Sequence, residues 1–573
     1  MDWWEFFRLH QMADDELLDE RAGIAGLVFE RRLETTKRGV VVDRYQFPPQ
    51  DTDFDEQDDA FEPRSEKPSP IAKVEAIDLE HRTIDLRKGV VRVDHHPTAL
   101  FKHDKVSNPE AVGALLRLGE FVRDHGIDGA GRHRAARDLL LRHNPRLIAG
   151  ESLRRPPEST VACARRVVLA LDGGVLAIQG PPGAGKTFTG ARTIIDLVRA
   201  GKKVGVTAVS HKVIRNLLDE VVRAAAEEKV RVRCMHRVSD KSKTTRAGIE
   251  EETDAGKAVA KILSREYDVV GGTAWVWSKE DLAESISALV VDEAGQMSLA
   301  NVLACAQAAT NLVLLGDPQQ LEQPQKASHP EGSELSALEY LLEGHDTMPE
   351  ERGLFLGETW RLHPSICSYT SELFYEGKLG PHPGLATQVV SGPTPYSGTG
   401  LFYVPVVHEG NQNSSTEEAE RVAEIVKGLV APGMTWTNRH GETKPLTLDD
   451  VLIVAPYNAQ VSEIAERIPG ARIGTVDKFQ GQEAPVVIYS MATSSPEEAP
   501  HGMEFLFSRH RLNVATSRAR CVCILVGNPQ LFKPDCRTPQ QMRMANAFCR
   551  YLELARTADA DEQTRVDGTG IGG

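Results

Sequence analysis

From Val175 onward, short β-branched apolar runs alternate with longer intervals in which apolar residues return at helical spacing. One series comprises Val175–Gln179, Lys203–Thr207, Tyr267–Gly271, Ile286–Val291 and Asn311–Leu315. A second comprises Leu401–Val407, Val451–Ala455, Ala471–Val476, Val486–Ser490 and Cys521–Val526. Uninterrupted apolar strands separated by helices belong to parallel sheets covered on both faces. The pattern therefore predicts an α/β chain with two tandem doubly wound lobes.

The first part of the chain reads differently. Leu27–Thr35 with Val40–Phe47, and Lys73–Leu79 with Thr83–Leu86, are paired β-rich runs around short polar turns, which predict antiparallel hairpins of a small β-barrel. The acidic, proline-containing stretch Pro48–Pro70 between them is expected to be a mobile loop. Before it, Trp3, Trp4, Phe6 and Phe7, then Leu17 and Leu18, predict a helix pair with an aromatic packing face. Leu115, Leu116, Leu118 and Phe121 mark a further helix. The expected organisation is helices and barrel over 1–106, a helical connector over 107–157, a first lobe over 158–345, a second over 346–556 and a disordered tail over 557–573.

Composition changes this picture little. The 573 residues are 41% hydrophobic and 26% charged, enough for several globular cores. No apolar run approaches the roughly 18 residues of a membrane span, so a cytoplasmic chain is expected. The eight cysteines are scattered without metal or disulfide spacing. A net charge of −15 argues against indiscriminate coating of nucleic acid but allows a basic groove on an acidic body.

The first apolar run breaks into Gly180-Pro181-Pro182-Gly183-Ala184-Gly185-Lys186-Thr187-Phe188. Strand, glycine-rich loop and helix start in that order make a phosphate-binding loop. Its backbone N–H groups cradle phosphates, Lys186 adds a point charge and the Thr187 hydroxyl can hold Mg²⁺. The ligand this predicts is a nucleoside triphosphate, ATP with Mg²⁺. Thr189–Ala200 continues as a helix with Ile194, Ile195 and Val198 on one face and Gly201 at its end. Asp292-Glu293 follows the run ending at Val291, where a parallel strand delivers carboxylates toward that loop: Asp292 for Mg²⁺, Glu293 for polarising water. Leu315-Gly-Asp-Pro-Gln-Gln-Leu321 ends the next run in a turn that places Gln320 within reach of the outermost phosphate, although Gly-Asp-Pro alone signals only a turn.

This set resembles the superfamily 1 helicases, in the branch that includes the nonsense-mediated-decay helicase and the Okazaki-fragment nuclease–helicase, over roughly residues 158–545. The resemblance implies two RecA-like lobes with ATP in their cleft. Thr359-Trp-Arg-Leu-His-Pro364 resembles the motif whose arginine, here Arg361, reaches the γ-phosphate from the second lobe. Arg511-Leu-Asn-Val-Ala-Thr-Ser-Arg-Ala-Arg520 resembles the last helicase motif, with Arg518 as a second arginine finger. Val454-Ala-Pro-Tyr-Asn-Ala-Gln460 implies Tyr457 on adenine, a buried core tyrosine being the rival reading. Gly474-Thr-Val-Asp-Lys-Phe-Gln-Gly-Gln-Glu483 implies Glu483 at the ribose and Thr475 on a nucleic-acid backbone, with Thr207, Ser210 and Thr273 as further backbone contacts. Hydroxyls suit phosphates of any sequence.

The chain departs from that pattern at Val209 and His211, where the family usually shows proline and asparagine, and at Ala484-Pro485, which replace a common acidic residue. Glu158–Leu171 contains no glutamine for reading adenine. The opening stretch resembles the connector and barrel of bacterial proteins that join a RecB-like nuclease to such a helicase, yet residues 1–157 lack an acidic cluster followed by Glu-x-Lys and lack iron–sulfur cysteine spacing. The resemblance implies an ATP-dependent helicase or translocase moving 5′-to-3′ on a single strand, DNA favoured over RNA. A cytoplasmic monomer is expected, one that leaves its strand uncut because no nuclease carboxylate cluster stands in the sequence, with a nuclease partner left open. An RNA helicase, the motor of a nuclease–helicase machine and a non-unwinding ATPase remain alternatives.

Overall fold

A computed structural model describes residues 2–36, 39–65, 69–79, 81–103, 108–239, 248–321, 334–479, 481–500 and 502–558. The chain divides into two compact units: Ser107–Arg361 with Thr370–His382, and Met1–Val106 with Leu362–Tyr369 and Pro383–Gly573.

The unit that carries the phosphate loop is an eight-stranded sheet. Its spatial order is Ile249–Glu252, Cys234–Arg237, Val269–Gly271, Val204–Thr207, Ile286–Val291, Ala309–Gly316, Val175–Gln179 and Gly353–Phe355, all parallel. Helices cover both faces, as parallel strands buried on each side require. Thr160–Ala170, Lys186–Arg199 and His211–Glu227 bury Val167, Ile194, Ile195, Leu217 and Leu218 on one face. Pro109–His125, Arg134–Leu140 and Leu299–Ala306 bury Leu118, Leu139 and Leu303 on the other.

Two expected boundaries move. The segment taken as a connector over 107–157 is part of this unit, because Leu118, Ala135, Ala136 and Leu139 complete one of its cores. The sheet also extends past residue 345: Gly353–Phe355 pairs in register with Ala177–Gln179, and burial of Leu354 and Leu356 holds it there.

The other unit holds a six-stranded parallel sheet in the order Arg472–Thr475, Val451–Ala455, Ala484–Ser490, Ala519–Gly527, Gly400–Pro405, Arg556–Thr557. Thr557, the first residue of the expected disordered tail, pairs with Tyr403 at the sheet edge; residues 559–573 lie outside the described residues.

The same unit contains a seven-stranded antiparallel sheet in the order Gly23–Ala25, Ala99–Lys102, Asp59–Phe61, Ala72–Asp78, Thr83–Lys88, Val41–Gln46, Val28–Thr35. It curls around Tyr45, Phe47, Phe54, Val74, Ile84, Leu86 and Leu100. The acidic stretch is not a plain loop. Asp59–Phe61 within it is a strand between Ala72–Asp78 and Ala99–Lys102, and Phe54 and Ala60 enter the core. Alternation of charged and apolar residues lets one face of such a strand bury while the other stays wet. Phe6, Leu9 and Leu17 of the opening helices pack on Ala25, Ala99 and Phe101, so this part of the aromatic face is a packing face.

Candidate functional site

Val175–Gln179 ends at the centre of the sheet, and the chain turns through residues 180–185 into the helix that starts at Lys186. Gly183 and Gly185 take φ of +72° and +81°, conformations that glycine adopts without strain. A Cβ on Gly180 would fall 2.2 Å from Lys186 Cγ, and one on Gly183 would fall 2.5 Å from Arg361 Cβ. The loop therefore has no room for side chains at either position. No side chain caps the helix start, so its N–H groups face outward as a ready anion cradle. Pro181, Pro182 and Ala184 are buried, Thr187 is half-buried, and the exposed Phe188 ring lies under the Arg192 guanidinium at 3.3 Å.

The neighbouring strands bring the acids. Lys186 Nζ lies 3.0 Å from Glu293 Oε2. Asp292 follows Val291, and its Oδ1 accepts from the Glu293 amide at 3.0 Å. Glu293 itself has φ of +51°, a strained value for a side-chain-bearing residue. Burial, and then the Glu293 carboxylate, push the Asp292 carboxyl up to about 7. Burial pulls the Lys186 ammonium down, but Glu293, Asp317 and Asp292 outweigh it and leave the group above its ordinary value. One ammonium among three carboxylates leaves surplus negative charge that a hard cation would neutralise. Thr187 and Asp292 supply oxygen donors of the kind Mg²⁺ takes, so the residues present fit Mg²⁺ beside a cradled phosphate.

Asp317 stands in the Gly-Asp-Pro stretch that by sequence signals only a turn. It is buried at the end of Ala309–Gly316 and its Oδ2 accepts from both Gln320 Nε2 and Tyr375 OH at 2.7 Å. Burial still raises its carboxyl above the usual range. Gln320 was expected at the outermost phosphate; here it is buried, with its amide on Asp317. The signal that could have found Asp317 is its position at the end of a strand whose last residues, Leu312–Leu315 and Gly316, are apolar and buried, as Asp292 stands at the end of Ile286–Val291.

Arg361 corrects a second expectation. It belongs to the unit of the phosphate loop, not to the other lobe. Thr359 Oγ1 donates to Pro182 O at 2.8 Å and Trp360 N donates to Gly183 O at 2.9 Å, which fastens Thr359–Arg361 along the loop. Trp360 stacks on His382 with ring centroids 3.8 Å apart.

The expected backbone contacts divide. Thr207 is fully buried beside Val291, and its hydroxyl has no hydrogen-bond partner among the described residues. It lies inside the sheet end and not on an open groove. Ser210 caps the helix His211–Glu227 through Val213 N at 3.3 Å. Thr273 stands at the cap position of Ala274–Trp277. Beside Ser210 and Thr273, Val209 and Trp275 are each 46% exposed, Val209 on the turn after Val204–Thr207 and Trp275 on the short helix Ala274–Trp277 that follows the neighbouring strand Val269–Gly271. Behind them His211 Nδ1 and His236 Nε2 are 3.2 Å apart. Burial, then the neighbouring His211, push His236 down to about 4.

In the other unit Tyr457 is 1% exposed and its ring stacks on Phe505 at 5.5 Å. A core tyrosine is what the geometry gives, and no ring face is open to adenine. Glu483, expected at the ribose, pairs with Arg520. Arg518 is 2% exposed. Thr475 Oγ1 donates to the Asp51 carboxylate.

Two family models, each described as AAA domain, match residues 162–329 and 334–530, together more than half of the chain. Helicase sen1 of Schizosaccharomyces pombe is 28% identical over 300 residues, 49% of this chain and 17% of that protein. DNA polymerase alpha-associated DNA helicase A of the same yeast is 24% identical over 425 residues, 62% of this chain and 61% of that one. DNA replication ATP-dependent helicase/nuclease DNA2 of Gallus gallus is 26% identical over 410 residues, 67% and 39%. The chain belongs to the superfamily 1 helicases. It spans less than two thirds of the length of each of these relatives. Among the described residues no helix is long and apolar enough to cross a membrane, and no group of three or more His, Cys, Asp or Glu is placed to hold a metal ion.

Proposed function

We propose that the chain is an ATP-dependent helicase or translocase acting 5′-to-3′ on single-stranded nucleic acid, DNA favoured over RNA. The observation that carries this reading is Lys186 enclosed by Glu293, Asp292 and Asp317 at the mouth of a glycine cradle. Lys186 and the loop amides would hold phosphate oxygens, and Thr187 and Asp292 would hold Mg²⁺. Magnesium-bound ATP supplies a phosphoryl group whose developing charge must be neutralised, and the protein's part is position and electrostatics. Glu293 orients the attacking water and accepts its proton once Lys186 turns to phosphate. Arg361, fastened along the loop, supports charge on the transferring group, and family resemblance assigns Arg518 to the same task. Gln320 would reach the outermost phosphate only by releasing the Asp317 carboxylate on which its amide now rests.

The test is ATP hydrolysis with and without single-stranded DNA and RNA, followed by unwinding of duplexes carrying either a 5′ or a 3′ overhang. Stimulation by single strands and opening of 5′-tailed duplexes alone are expected, with the strands left uncut in Mg²⁺ or Mn²⁺. Hydrolysis indifferent to every strand, or opening of 3′-tailed duplexes alone, would overturn the reading.

A further inference from the structure

Two carboxylates from the N-terminal segment sit on donors at the strand ends of the six-stranded sheet. Asp51 accepts from the Thr475 hydroxyl, directly after Ile473 and Gly474, and Lys478 Nζ lies 4.0 Å from its other oxygen. Asp19 Oδ1 accepts from the backbone amides of Asn458 and Ala459, at 2.5 and 3.3 Å, which are the first amides of the helix Asn458–Arg467. Its second oxygen accepts from Asn413 Nδ2 at 3.1 Å. Every group in this set is a donor or a cation: a hydroxyl, helix-start amides, a carboxamide N–H and an ammonium. Such a set binds phosphodiester oxygens without regard to sequence.

Both acids are held in place from behind. The Gln50 side chain donates to Ala25 O at 2.8 Å and accepts from Ala25 N at 2.9 Å, and Phe54 is buried in the core of the antiparallel sheet. Asp51 N donates to Asn458 Oδ1 at 3.0 Å, and Asn458 Nδ2 donates to Leu18 O at 2.7 Å. The neighbouring Asp53 pairs instead with Arg21 at 2.6 Å and is half-exposed.

We propose that Asp51 and Asp19 are built-in phosphate surrogates that hold the strand-binding donors of this unit closed until a nucleic-acid backbone displaces them. The inference rests on the proposed single-strand activity. A hydroxyl has one proton to donate, so Thr475 cannot serve Asp51 and a phosphate oxygen together, and the same holds for the Asn458 and Ala459 amides. Strand binding therefore requires the acids to leave. The apparent affinity is lowered by the fraction of molecules in which they remain seated.

The experiment uses the full chain and its variants Asp51→Asn, Asp51→Ala, Asp19→Asn and, as a control, Asp53→Asn. Affinity for a fluorescent single-stranded oligonucleotide and its half-saturating concentration for ATP hydrolysis are measured, with hydrogen exchange at residues 48–58. Asp51→Ala and Asp19→Asn should bind roughly tenfold tighter, with hydrolysis in the absence of strands unchanged. Oligonucleotide should also speed exchange at the Asp51 amide of the parent chain. Unchanged or weaker binding in both variants, in a chain whose hydrolysis the strands do stimulate, overturns the inference and leaves the helicase reading standing. Equal tightening by Asp53→Asn also overturns it, as a general charge effect. If no DNA or RNA strand stimulates the parent or any variant, the helicase reading falls and this inference with it.

Discussion

Lys186 Nζ lies 3.0 Å from Glu293 Oε2, so the phosphate-loop lysine is paired with the acid assigned to the attacking water. Lys186→Ala removes the cation of a buried carboxylate cluster and its phosphate contact together. Hydrolysis is expected to fall below detection while binding of a labelled single strand persists, measured by phosphate release and fluorescence anisotropy. Loss of both would mean that the unit had misfolded.

Arg361 and Arg518 should behave alike in kinetics although they lie in different units. Each change to Ala is expected to slow turnover by roughly 10³-fold, the scale of a removed arginine finger, with affinity for a fluorescent ATP analogue nearly unchanged. A rate within a few-fold of the parent would take that arginine out of the reaction.

Asp317 depends on Tyr375, whose hydroxyl donates to it at 2.7 Å. Tyr375→Phe removes a donor from a buried carboxylate and should lower stability by about 1–3 kcal/mol in urea unfolding. In an Asp317→Asn background the same change should cost less, because the acceptor charge has gone. Additive effects would show that the contact carries no coupling.

His236 gives the fold an acid sensitivity. Its protonated form is disfavoured by burial, so its pKa falls from the ordinary value near 6.5 to about 4. The stability it contributes is fully present above about pH 6.5 and is lost as pH falls toward 4. His236→Asn should therefore lose less Tm than the parent chain between pH 7 and 5, read by differential scanning calorimetry. Parallel pH profiles would mean that the histidine pair does not titrate in this window.

Trp275 is 46% exposed beside Thr273, so a single strand bound along Thr273 would meet its ring. Trp275→Ala should weaken single-strand binding by about 1–3 kcal/mol, the usual range for a base on an aromatic ring. Intrinsic fluorescence of the parent should be quenched on adding oligonucleotide, by a component that the variant lacks. Unaltered affinity would make Trp275 an ordinary exposed side chain.

By itself the sequence determined what is written in contiguous residues. Strand, glycine loop and helix start at 175–187, and the apolar run into Asp292-Glu293, announce a phosphate site because the chemistry needs those types at fixed local spacing. The two series of apolar runs announce two parallel sheets because burial on both faces leaves a continuous apolar stretch. Only the tertiary structure decided the relationships between distant positions. Asp317 joins Tyr375, Thr359 joins Pro182, and Asp51 covers Thr475, each across a gap that no local pattern spans. Tyr457 shows the same limit, since its motif is legible while the Phe505 ring that covers it arrives from a later helix. Periodicity reports which face of an element is buried; which partner buries it depends on how the elements pack, and packing is a property of the whole unit.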